Sequence, residues 1–271
     1  EGGLMKKELH WIYKMALFLA MGIVFLALFA PWIAPYDPTA VSTEEILEGM
    51  SSSHWLGTDA LGRDILSRTI YGARTSVAFA FVAAFCTMVL GLMLGILSGY
   101  FGGWVDRGIQ CLVAVFQGLP GMSLMIAIAA ILPENNFRLI IALTLTSWAG
   151  FSRIVRSEVI RIRRELYMES IKSLGASHGY IVRKYVLPNV LPVVIVLLTL
   201  RIGTSLLSAS ALSYLGLGVS PPTADWGVMI SDARTYFRSY PLMMIAPGTG
   251  ITLFCLSINL LGDAMRERIR R

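Results

Sequence analysis

The chain has 271 residues, 55% of them hydrophobic and 15% charged, against about 25% charged for an ordinary soluble domain. Its apolar residues fall in uncharged runs of roughly 18–25, the length a helix needs to cross about 30 Å of hydrocarbon. This excludes one or two soluble domains, and the formal net charge of +6 is read as the Lys and Arg bias of cytoplasmic loops rather than as a nucleic-acid surface.

Glu1, Gly2, Gly3 and Leu4 precede Met5, and residues 1–4 are expected to be an added scar. The first apolar run, about 11–33, is too long for a signal-peptide core and lacks a small-residue cleavage site, so it reads as a retained helix. Residues 5–74 are then an N-terminal membrane helix with an outer segment, and 75–271 a helical core. Further spans are predicted near 75–98, 109–132, 138–155, 189–213 and 242–262. The 75–98 span carries Gly91, Gly95 and Gly99, a spacing that lets helix backbones approach closely, and 189–213 repeats it with Ser205, Ala209 and Ser213. The 109–132 span contains Gly118-Leu119-Pro120-Gly121 and should kink there. Cys86, Cys111 and Cys255 lie inside apolar runs and read as small membrane-embedded hydrophobes.

With the N-terminus inside, sixteen Lys and Arg fall on inside segments and six outside, which predicts both termini in the cytoplasm. The remaining basic residue, Arg201, lies within the fifth span. An intramembrane arginine faces a cavity or a partner, and both a translocation pathway and a contact with a second permease subunit are open for it. The outer segments, about 34–74 and 214–241, read as solvated loops with a slight negative excess. Asp225, Trp226, Asp232 and Arg234 lie there as candidates for docking a binding protein or releasing cargo, with a plain surface loop as the equal alternative.

Nucleotide chemistry is not available to this chain, because no Gly-x4-Gly-Lys-[Ser/Thr] loop is present. No Ser-His-Asp, Cys-His or paired-carboxylate arrangement is evident, so no catalytic residue is assigned. His10, His54 and His178 are scattered over three segments and predict no shared metal site. Met122 and Met125 read as space-filling side chains.

The most informative stretch is the inside loop 161–188. Arg161, Glu165 and Glu169 recur every four residues and predict a surface helix with a charged face. Gly175 can end it in a left-handed cap, and Pro188 permits a break before the fifth span. The pattern Glu169-x5-Gly175-x9-Tyr185-x-Leu187-Pro188 resembles the EAA loop, E-A-A-x3-G-x9-I-x-L-P, of bacterial binding-protein-dependent ABC importer permeases. The sequence departs from it at Ser170, Ile171 and Tyr185. The segment His54-Trp55-Leu56-Gly57-Thr58-Asp59-Ala60-Leu61-Gly62-Arg63-Asp64-Ile65-Leu66-Ser67-Arg68 is similar to one typical of the dipeptide, oligopeptide and nickel branch, as are Tyr71 to Ser76, Leu215-Gly216-Leu217-Gly218 and Pro221-Pro222.

That resemblance implies an all-α membrane protein of about six spans with the type I importer permease fold. It implies a subunit of the bacterial inner membrane that pairs with a similar but distinct second permease, two ABC ATPase subunits that bind ATP and Mg, and an external substrate-binding protein. Glu169, Leu174, Gly175, Ala176, Ser177, Leu187 and Pro188 would then form the coupling contacts, and the chain itself would not be an enzyme. The stretches 222–236 and 258–266 look most like nickel-transporting members, so nickel or a nickel chelate is the expected cargo, with di- or oligopeptides as the alternative. An ATPase-independent channel or secondary transporter would lack this loop and show intramembrane acids or inverted halves.

Overall fold

The computed structural model describes residues 2–135 and 137–270, with side chains for 11–135 and 137–268. The named elements among those residues are all helices, with no strand among them and a β-bridge between Thr58 and Asp64. Helix α1 (Gly2–Leu28) presents Ala16, Ala20, Ile23 and Ala27 to the core, the i, i+4, i+7, i+11 stripe of one helical face. Trp11 and Phe18, on its other faces, are exposed. The chain breaks at Phe29, and the short α2 (Ala30–Ile33) follows with Pro31 in its first turn, where a missing N–H costs nothing.

Helix α3 (Ile65–Phe101) is 37 residues long, about 55 Å at 1.5 Å per residue. It starts ten residues before the expected 75, because Asp64 caps it by accepting from the Ser67 N–H at 2.7 Å. Residues 65–74 continue the same helix but carry Arg68 and Arg74, so they fall outside the uncharged run. Helix α6 (Phe137–Arg163) likewise runs past the expected 155. The two lie parallel, with Gly91, Gly95 and Gly99 against Phe151, Val155 and Val159. A methyl group added at those glycines would lie 2.6–2.8 Å from its nearest neighbour, so the stripe is a packing surface, as its spacing predicts.

Between them the chain forms α4 (Gly103–Gly118) and α5 (Gly121–Ile131), bent by 94° at Leu119-Pro120. The interruption is thus sharper than a kink, a bend of the kind made by a broken span or a re-entrant loop. Among the described residues five helices are long and apolar enough to cross a membrane, or six if this pair counts as one span.

Two expectations about the loop 161–188 are corrected. Arg161 and Glu169 do not share a helix: α6 ends at Arg163 and α7 (Leu166–Ser173) starts anew from Glu165. Pro188 does not open a break either. Helix α8 (His178–Ile181) passes through a π-helical turn, Val182–Val186, into α9 (Leu187–Tyr214) without interruption. A proline ring clashes with the carbonyl four residues earlier, and one wide turn, with the Leu187 N–H donating to the Val182 carbonyl, accommodates it. After α10 (Trp226–Ala233), α11 (Leu242–Arg270) runs antiparallel to α9, with Gly203 facing Asn259 and Gly262 facing Leu200. One end of the bundle carries residues 34–64 and α10; the other carries α7.

Candidate functional site

At the α7 end a short helix projects from the bundle on a small anchor. Met168 is fully buried, in one cluster with Tyr100, Val159, Ile162, Ile181 and Val186, against which Ile171 packs. Leu166 and Leu174, flanking α7, are 83% and 86% exposed, and Glu169 points outward with no ion-pair partner among the described residues. The helix closes on a left-handed glycine. The Gly175 N–H donates to the Lys172 carbonyl at 2.9 Å and the Ala176 N–H to Ile171 at 3.4 Å, with Gly175 at φ 78°. This is the paired capping pattern that satisfies the last carbonyls of a helix. Ser177 then caps α8 by accepting from the Tyr180 N–H at 3.3 Å. Thus Glu169, Leu174, Gly175 and Ser177 form one exposed knob and Ala176 packs back against the buried cluster, while Leu187 and Pro188 lie beyond the π turn on α9.

Sequence reasoning missed the ties that hold this knob to the core. Tyr100 Oη lies 3.0 Å from His178 Nδ1, joining α3 to α8. Asp106 accepts two bonds from Arg156, both at 2.6 Å, and one from the Ser98 hydroxyl at 2.5 Å, joining α4, α6 and α3. Partners separated by 50 and 78 positions carry no local signal in a single sequence.

The α10 end corrects the solvated-loop reading. His54, Asp59, Arg63, Asp64, Arg68 and Asp225 are all buried, as is Arg138. Asp59 receives Arg63 at 2.7 Å and Arg68 at 3.4 Å; Arg63 also lies 3.6 Å from Asp232, and Arg68 donates to the Pro38 carbonyl at 2.8 Å. A cavity of about 280 Å³ opens among Asp59, Arg63, Arg68, Pro221, Asp232 and Met243. Burial lifts the Asp232 carboxyl above its ordinary range, although Arg63 and Arg68 pull against it. Burial opposes the charge on His54, but Asp64 at 2.9 Å and Glu45 at 3.7 Å outweigh it and raise its pKa.

Of the outer-segment candidates, Asp225 and Trp226 hold the fold together. Asp225 caps α10 through the N–H groups of Gly227 and Val228 and accepts from the Ser76 hydroxyl at 2.7 Å. The Trp226 indole sits between Gly72 and Gly250 and donates to the Thr69 carbonyl at 2.9 Å. Arg234 is exposed, and Asp232 is partly open to solvent beside the cavity. Among the described residues, no three of His, Cys, Asp and Glu converge as metal ligands would. Met125 packs in the core, whereas Met122 is exposed.

Arg201 lies deep in α9. Its Nε is buried, and among the described residues it has no hydrogen-bond partner.

Residues 91–271 match the family described as "Binding-protein-dependent transport system inner membrane component". The chain belongs to this family. It is 40% identical over 261 residues to the Glutathione transport system permease protein GsiD of Escherichia coli O6:K15:H31, covering 96% of this chain and 86% of that one. It is 36% identical over 255 residues to the Dipeptide transport system permease protein DppC of Alkalihalophilus pseudofirmus, covering 94% and 84%. The fold resembles that in "Inward facing conformations of the MetNI methionine ABC transporter", with a TM-score of 0.60 at 18% identity over 76% of this chain and 98% of that one. It also resembles that in "Crystal structure of an amino acid ABC transporter with histidines", with a TM-score of 0.57 at 17% identity over 75% and 94%. The chain is therefore an inner-membrane ABC importer permease with the type I fold, a component that works with an ATPase and a substrate-binding protein.

Proposed function

We propose that this permease forms half of the translocation pathway of an importer for short peptides, of the glutathione or dipeptide class. The observation that carries this reading is the 40% identity to a glutathione permease across 96% of the chain; the 36% identity to a dipeptide permease supports it. Nickel, the cargo expected from residues 222–236 and 258–266, takes second place, because those stretches are branch markers and not metal ligands.

The pore is completed by a second, similar permease. ATP and Mg are bound by two ATPase subunits beneath, and the binding protein docks at the α10 end. In this arrangement α7 and both termini face the cytoplasm, in keeping with sixteen basic residues on that side against six. The knob from Glu169 to Ser177 seats in a groove of the ATPase, with Leu166 and Leu174 as its apolar contacts. ATP binding closes the ATPase pair, and α7 carries that displacement through Met168 into α3, α6 and α9, which opens the pathway toward the binding protein.

The test is ATP-dependent uptake by the complete complex in proteoliposomes, comparing labelled glutathione, a labelled dipeptide and radioactive nickel. Peptide uptake that excess nickel does not inhibit is the expected result. Nickel uptake alone would overturn the peptide reading and leave the permease assignment standing.

A further inference from the structure

Arg201 lies 23 residues from the start of the continuous His178–Tyr214 helix and 13 from its end, about 35 Å and about 20 Å along the axis. It also sits at the centre of the predicted 189–213 span, about 18 Å along the axis from either end, so snorkelling to water does not account for it. Among the described residues its buried Nε has no hydrogen-bond partner, and no ion pair forms to its guanidinium. A permanent cation in this setting needs an anion from outside the chain.

Other polar groups in the bundle are left unfinished in the same way. One face of α9 runs Val190, Val194, Leu197, Arg201 and Ser205, at steps of four and three residues. The first three pack into the cluster with Phe151 of α6 and Met88 of α3. From Arg201 onward the face turns polar, and the Ser205 hydroxyl is buried without a partner. On α3 and α6, two of the helices packed against α9, the hydroxyls of Thr87, Thr144 and Ser152 are also buried and unpartnered. Helix hydroxyls usually bond the carbonyl a turn earlier, as Thr146 does at 2.8 Å, so these groups stand out from their neighbours.

We propose that Arg201 is a carboxylate site within the membrane, reached by the peptide as it crosses. The proposal rests on the peptide-importer reading above. Every unblocked peptide carries a C-terminal carboxylate that hydrocarbon excludes. A guanidinium matches that group with two parallel N–H donors, and the unpartnered Ser205 hydroxyl one turn along the same face would take a further polar contact. One fixed counter-charge lowers the barrier to crossing, while the lack of further charges near it keeps binding weak enough for release. The competing source of an anion is an acidic side chain of the second permease.

The test uses the complete importer in proteoliposomes, with Cys86, Cys111 and Cys255 replaced and Arg201→Cys introduced. A membrane-impermeant, hydrophilic thiol reagent should label that cysteine, and substrate-loaded binding protein with ATP should slow labelling. A cationic adduct should restore peptide uptake per ATP, and a sulfonate adduct should not. In parallel, Arg201→Gln should lower uptake per ATP by about 10-fold, the effect of one charge-assisted hydrogen bond, with Arg201→Lys between the two. An unreactive cysteine, or a complex that falls apart in detergent when Arg201 becomes Gln, would overturn the proposal in favour of a permease–permease ion pair. A reactive cysteine in an importer that moves no peptide would instead defeat the peptide reading, because the residue would still line an aqueous path.

Discussion

The two ends of this bundle use polar residues in opposite ways. At the α10 end, charges that look like loop residues are folded inward and satisfied by one another: Asp59 holds two arginines, and Asp225 completes a helix start while bonding Ser76. At the α7 end, Glu169, Leu166 and Leu174 are left outside, and a single fully buried side chain, Met168, fixes the element that displays them. Polarity in the sequence does not separate a braced platform from a contact surface; what separates them is whether partners exist within the same chain.

The largest expected effects lie on the braced side. Trp226→Ala removes a side chain clasped between two glycines and should cost about 3–5 kcal/mol, read as a lower melting temperature of the detergent-solubilised subunit. An unchanged melting temperature would mean that α10 is not fixed by its indole. Asp59→Asn leaves Arg63 and Arg68 without their shared carboxylate. Breaking such a buried pair costs about 3–5 kcal/mol, and the variant should be rescued only by changes that also remove an arginine.

On the displayed side the effects on folding are smaller. Gly175 has φ 78° and open space around it, so Gly175→Val is penalised by backbone strain alone, about 1–2 kcal/mol, and Gly175→Asn by less. If the knob seats in an ATPase groove, uptake per ATP should fall far more for Val than this loss of stability explains. Equal and small losses for both variants would put the contact elsewhere.

The smallest effect is a pH dependence. The raised pKa of His54 contributes stability that is fully present below its ordinary value near 6.5. That stability is lost as pH rises through the elevated folded value. A melting-temperature profile from pH 5 to 9 should therefore slope downward in that window, and His54→Gln should flatten it.

What could be read from the sequence follows from the range of the signal. The spacing of Gly91, Gly95 and Gly99 is local and periodic, so close packing was legible before any partner was known. Gly175 was legible as a left-handed cap because a single residue type fits that backbone. The burial of Arg63 and Arg68 was not, since their acceptors include the Pro38 carbonyl 30 positions away and Asp232 far down the chain. The π turn escaped for a different reason: Pro188 announces that a carbonyl must move, but not whether the helix stops or merely widens. Likewise Asp225-Trp226 reads as a docking candidate or a plain surface loop until Gly72 and Gly250 are seen on either side of the ring.

The glycine seam between α3 and α6 has a mechanical meaning. Two parallel rods that touch backbone to backbone bend less than either alone and travel as one beam. A beam of about 55 Å, pushed near Tyr100, is a long lever. Tilting it by about 10° moves Ile65 by about 10 Å relative to Tyr100, so a modest shove beneath the membrane becomes a wide swing at the opposite mouth.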